Sequence, residues 1–305
     1  METDPEPGSS LRRRMVLVSA WAVMLCISDL PEIVWSAWSG QPPGWLAWAK
    51  VALLAGFVVA ASAWRRLRPL RSYGVVLLGL FLALRLSAWV GSTAWWQGRF
   101  GGSDVSFTRG FTGIYLLDAG VALVVIAALC AVKGRPRHFF LVKGQLDAPI
   151  APVPWLGIRS GESWRTFGWI FALSAGAAVL VPTVFASVPS AAQIARAALL
   201  LPAVVVFAAV NAFNEEVYFR ASLLSTLHPV LGTGHTLLLS ATFFGLAHYL
   251  YGSPPGIVGV LMTGFLAWLL GKSMLETRGF LWAWFIHFVP DVVIFASYAL
   301  ARAQR

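Results

Sequence analysis

Apolar stretches of roughly membrane-spanning length follow one another along the whole chain, separated by short polar breaks. A helix needs ~20 apolar residues to cross ~30 Å of hydrocarbon. On that measure nine spans are expected, near residues 15–35, 45–64, 73–96, 111–132, 167–185, 197–213, 237–250, 257–275 and 280–300. The seventh is short and has room to extend in either direction. The fold class this predicts is an all-α polytopic membrane protein with about nine transmembrane helices. Arg12, Arg13 and Arg14 precede the first apolar run as they would in a signal peptide, but no small-x-small cleavage site follows. Asp29, Pro31 and Glu32 come instead, so an uncleaved first span is expected.

Composition agrees with the pattern. Of 305 residues 58% are hydrophobic and only 12% charged, where a soluble domain would be nearer a quarter charged. The 15 Trp residues suit the membrane–water interface. The net charge of +10 does not point to nucleic acid, because its Lys and Arg residues lie in short runs between apolar stretches. Read as topology signals they orient the chain. With the N-terminus in the cytoplasm, 15 basic residues fall on the inner side, from Arg12 to Arg278. Only Arg99, Arg109, Arg196, Arg302 and Arg305 fall outside. Cys26 and Cys130 each sit inside an apolar run and read as free, small core residues.

The longest interruption, 133–163, carries Pro136, Pro149, Pro152 and Pro154, a density that opposes a continuous helix. It divides the chain into an N-terminal membrane region of about four helices (1–145), a Pro-rich linker (146–163) and a five-helix C-terminal part (164–305). No internal repeat of fixed period is evident.

Ionisable residues at membrane depth are costly and mark function or a paired structural role. In the N-terminal part Asp29, Glu32, Arg85 and Asp118 read as structural. In the C-terminal part the polar residues arrive in three groups. The first is Asn214-Glu215-Glu216-Val217-Tyr218-Phe219-Arg220. On a helix Glu216 and Arg220 stand at i,i+4 and can pair, whereas Glu215 points about 100° away and is left as an available base. The second runs from Phe243 to His248, with Phe244 and His248 on one face. The third is His287-Phe288-Val289-Pro290-Asp291, again an i,i+4 pair. With no water to solvate them, such groups on neighbouring helices are expected to face one another.

Glu215-Glu216-x-x-x-Arg220, Phe244-x-x-x-His248 and His287-x-x-x-Asp291, in that order on apolar helices, resemble the motifs of the CPBP intramembrane protease family, also called Abi or the type II CAAX prenyl endopeptidases. The resemblance covers about residues 164–300 and includes, weakly, the lead-in Leu156-Gly157-Ile158-Arg159. It implies that the last five helices form a protease-like core. Glu215 would activate water with help from His248, and His287 and Asp291 would bind the developing oxyanion. Glu216, Arg220 and Phe244 would support the site. Many members carry asparagine at the last position. An ionised Asp291 donates no hydrogen bond, so here it is either protonated or orients His287.

The resulting expectation is an endopeptidase that cleaves a membrane-associated peptide or protein without metal or other cofactor. Its partners would be lipid and a membrane substrate rather than nucleic acid. It would lie in a bacterial inner membrane and open its site toward the cytoplasm. Two alternatives stay open: a metal-dependent membrane protease, since Glu and His also ligate zinc, and a non-catalytic scaffold or transporter-like protein holding a buried polar cluster.

Overall fold

A computed structural model describes residues 7–303 apart from 103, 187, 252 and 253; Arg305, counted above for topology, lies outside them. Helices dominate. The N-terminal part holds α1 (Pro7–Ile27), α2 (Leu30–Ser39), α3 (Trp45–Ala63), α4 (Arg71–Ser92), the short α5 (Ala94–Phe100) and α6 (Phe107–Lys133). The C-terminal part holds α7 (Trp164–Ala186), α8 (Ala191–Ala198), α9 (Leu201–Glu215), α10 (Ser222–Tyr251), α11 (Gly256–Thr277) and α12 (Leu281–Ala303). Between α9 and α10 the chain forms one π-helical turn, Glu216–Ala221.

The protein is an all-α polytopic membrane protein. Among the described residues seven helical stretches are long and apolar enough to span, or eight when α1 and α2, bent by 49°, count as one. The expected nine is thus an approximate count, and the difference comes from two bends. The first is at Ser28, whose hydroxyl donates to Leu25 O (2.8 Å) and accepts from Leu30 N (3.2 Å), just before Pro31 opens α2. The second lies within the longest stretch, Leu201–Tyr251. Gly232 adopts φ 75°, ψ 178°, a backbone open to glycine and strained for other residues. The chain reverses there, so Ser240 Oγ reaches back to donate to Phe219 O at 2.7 Å.

These bends set the limits of two of the expected stretches. The stretch expected at 237–250 begins ahead of its expected start, directly after the reversal at Gly232. The span expected near 197–213 runs on through the π turn into α10, so Glu215 lies inside a long helical stretch.

The Pro-rich segment is a packed strap. Phe139, Ala148, Ile150, Val153 and Ile158 are buried along it. Gln145 N donates to Thr277 O and Phe280 N to Val142 O, both at 2.8 Å, clamping the α11–α12 connection. Gly144 (φ +79°) has no room for a side chain there, since a Cβ would stand 2.7 Å from Gly279 Cα.

One buried apolar cluster joins Tyr73, Leu77, Val125 and Leu129 of the N-terminal part to Leu224, Leu237, Met274 and Ile286 of the C-terminal part. Leu86, Leu123, Leu173 and Leu261 are exposed on the outside. Such apolar surface is stable against lipid, where every backbone group is already satisfied within the helix.

Candidate active site

The polar centre is built where α9, the π turn, the second half of α10 and α12 converge. A π turn inserts an extra residue and leaves backbone carbonyls poorly served. Here hydroxyls take them up: Ser222 Oγ donates to Tyr218 O, and Ser240 Oγ to Phe219 O. Tyr218 OH also donates to the backbone carbonyl of Asp118 on α6, fixing the turn from the other side.

Glu215 and Glu216, adjacent in sequence, point into different surroundings. Glu216 and Arg220 are wholly buried, with Arg220 Nη1 3.4 Å from Glu216 Oε1. The guanidinium also lies over the Phe244 ring, 3.9 Å from its centroid. Glu215 keeps a quarter of its side chain exposed. It faces a cavity of about 470 Å³ together with His248, His287 and Asp291.

His287 links the carboxylates. Its Nδ1–H donates to Glu216 Oε1 at 2.8 Å. That leaves Nε2 turned toward Glu215 Oε2 (3.5 Å) and Asp291 Oδ1 (3.8 Å). The strongest bond of His287 is therefore to Glu216, not to the i,i+4 partner Asp291 that the spacing suggested. His248 is oriented by its own helix, with Nδ1 2.9 Å from Phe244 O. A carbonyl only accepts, so Nδ1 carries the proton and Nε2 is free for other partners. Phe244 packs against both histidines, its ring tilted to that of His248 at 4.4 Å and edge-on to that of His287 at 5.8 Å between centroids.

All four catalytic candidates, Glu215, His248, His287 and Asp291, thus line one cavity, with Glu216, Arg220 and Phe244 behind or beside them. Two residues of this network were not singled out in the sequence. Asn211 Nδ2 donates to Asp291 Oδ2 at 2.9 Å, and Tyr115 OH donates to Asn211 Oδ1 at 3.3 Å. Asn211 could have been noticed, for it is an amide in an apolar run, one turn before Glu215. Tyr115 could not, because it lies on α6, far away in sequence. A third omission is Lys50, buried on α3, whose ammonium binds Ser28 O (2.7 Å) and Glu32 (2.6 Å). This pair gives Glu32 the structural role expected of it. Among the described residues no group of three or more His, Cys, Asp or Glu side chains is arranged to hold a metal ion.

Away from its polar wall the cavity is apolar, formed by Phe171, Ala175 and Ala178 of α7, Met262 and Leu266 of α11, and Ile294 of α12. Two carboxyl groups, two imidazoles and an apolar trough thus share one cavity within the helical bundle of a membrane protein. Residues 197–293, about a third of the chain, match the family described as type II CAAX prenyl endopeptidase, Rce1-like, the CPBP/Abi family that the three motifs resemble. The match supports a CAAX-type intramembrane endopeptidase. No curated protein and no solved structure matches the chain.

Proposed function

We propose that the protein is an intramembrane endopeptidase that hydrolyses a peptide bond of a membrane-associated protein or peptide with a water activated by Glu215 and His248. The observation that carries this reading is the division between the two glutamates. Glu216 is neutralised by Arg220 and His287, while Glu215 faces the cavity and, among the described residues, forms no ion pair with a Lys or Arg.

A general base must reach the proton it takes, directly or through one water. Glu215 accepts the proton of a water in the cavity, and the resulting hydroxide adds to the scissile carbonyl carbon. His248 presents Nε2 to the same space and holds that water. Donors aimed at the developing oxyanion stabilise it most when they are positioned beforehand. His287, held through Nδ1 by Glu216, donates from Nε2 as an imidazolium. Asp291 cannot donate when ionised, and its role is to orient: Asn211 fixes one oxygen and the other lies beside His287 Nε2. Glu215 then returns its proton to the leaving amine as the C–N bond breaks. The apolar trough of α7, α11 and α12 takes the substrate's apolar segment.

The test is mass analysis of membrane peptides co-expressed with the protein. Glu215→Gln keeps the shape of the side chain but removes the proton acceptor, and cleavage is expected to fall by ~10²–10⁴. Full cleavage by Glu215→Gln would sink the proposal and return the cluster to a structural network.

A further inference from the structure

Glu215 borders a second cavity, on the side away from the apolar trough. This chamber, of about 520 Å³, lies between the α1–α2 bend, α3, α4, α6 and the π turn. Asn211, Glu215 and Tyr251 are the residues common to the two linings. The new chamber carries Asp29, Glu32, Lys50, Arg85 and Asp118, every one from the N-terminal part. Glu32 and Lys50 satisfy each other. No side-chain hydrogen bond or close ion pair of Asp29, Arg85 or Asp118 is present among the described residues, although Asp29 lies within the field of Lys50, and Arg85 Nε is buried without a partner. Asn214, 2% exposed, lines the same space, and its Nδ2 is also unbonded.

Buried polar groups without protein partners are satisfied by ordered water where the space is polar and roomy enough. At ~30 Å³ per water the chamber has space for on the order of ten molecules. Charges of both signs spread round its wall suit water better than a single charged ligand. We infer that the N-terminal helices build a hydrated vestibule that opens at the α1–α2 bend and delivers the reacting water to Glu215 from behind the substrate. The use of that water rests on the peptidase reading, but its presence does not. Each turnover consumes one water: its oxygen joins the carbonyl carbon, one proton passes through Glu215 to the departing amine, and the C–N bond breaks. With an apolar substrate filling the trough, a route from the opposite side keeps that supply open.

Neighbouring positions on α4 supply the test. Leu84 faces the chamber, whereas Leu86 is exposed on the lipid side. Single cysteines at each, with Cys26 and Cys130 replaced by alanine, are treated in open membrane fragments with a charged methanethiosulfonate. The thiolate is the reacting form, and it forms only in contact with water. Leu84→Cys should be modified and Leu86→Cys should not. An inert Leu84→Cys overturns the vestibule, whatever the proteolytic result. Modification of Leu84→Cys in a protein that cleaves nothing sinks the peptidase reading but keeps the hydrated chamber. Leu84→Trp, which fills the space, should lower kcat with KM unchanged, and Leu86→Trp should change neither. A rise in KM alone would make the chamber a substrate subsite instead.

Discussion

Replacing Arg220 by methionine removes a charge from the least accessible part of the site while keeping much of the side-chain volume. Both Arg220 and Glu216 are 0% exposed, so removal leaves Glu216 as a buried carboxylate held by His287 alone. Breaking a buried pair by deleting one partner costs ~3–5 kcal/mol. The face-on contact with Phe244 is also lost, worth ~2 kcal/mol when desolvated, though it belongs to the same charge and does not simply add. Against this, Nε, Nη1 and Nη2 make no hydrogen bond, so part of the desolvation cost is relieved by the substitution. The net loss is therefore expected at the lower end, ~3 kcal/mol, which is a large fraction of the ~5–15 kcal/mol that holds a typical domain. Thermal and denaturant unfolding in detergent, followed by tryptophan fluorescence, would measure it. The double variant with Glu216→Gln should recover part of the loss, because the stranded charge is then gone. An Arg220→Met protein as stable as the parent would refute this account. If that stable protein were also inactive, Arg220 would join the catalytic group.

Asn211→Leu withdraws the amide from Asp291 Oδ2 and should lower kcat more than KM, with ~1–3 kcal/mol of stability lost for the unsatisfied carboxylate; unchanged kinetics would remove Asn211 from the site. His248→Ala should reduce cleavage about as far as Glu215→Gln, by ~10²–10⁴, with the protein still inserted in the membrane. Exhaustive chelation should leave cleavage intact, and loss of activity restored by added zinc would instead make Glu215, His248 and His287 ligands. The strap carrying Lys143 clamps the α11–α12 connection, whereas Pro254 precedes the other end of α11. In sealed cells Lys143→Cys should therefore be protected from an impermeant thiol reagent and Pro254→Cys should react from outside; the reverse pattern would invert the charge-based orientation.

The local sequence determined what depends on periodicity alone. Apolar stretches of span length required an all-α membrane protein, and the three motifs identified the family that residues 197–293 match. The offset of about 100° between successive helical residues is enough to separate Glu215 from Glu216, with no tertiary contact needed. Other features depend on how helices distant in sequence are rotated and crossed, which no local pattern encodes. His287 had two acidic partners to choose between, and packing of α12 against α9, which the π turn continues, set its Nδ1 on Glu216 instead of Asp291. The same packing brought Asn211 to Asp291, and that of α6 against α9 brought Tyr115 to Asn211. The π turn itself was not legible, since the hydroxyl that serves Phe219 O comes from Ser240, across the reversal at Gly232. Nor could the sequence show that Asp29, Arg85 and Asp118, dispersed over three segments of the N-terminal part, meet behind Glu215. Charges in lipid must find one another or water; which of these they find is decided only when the helices are assembled.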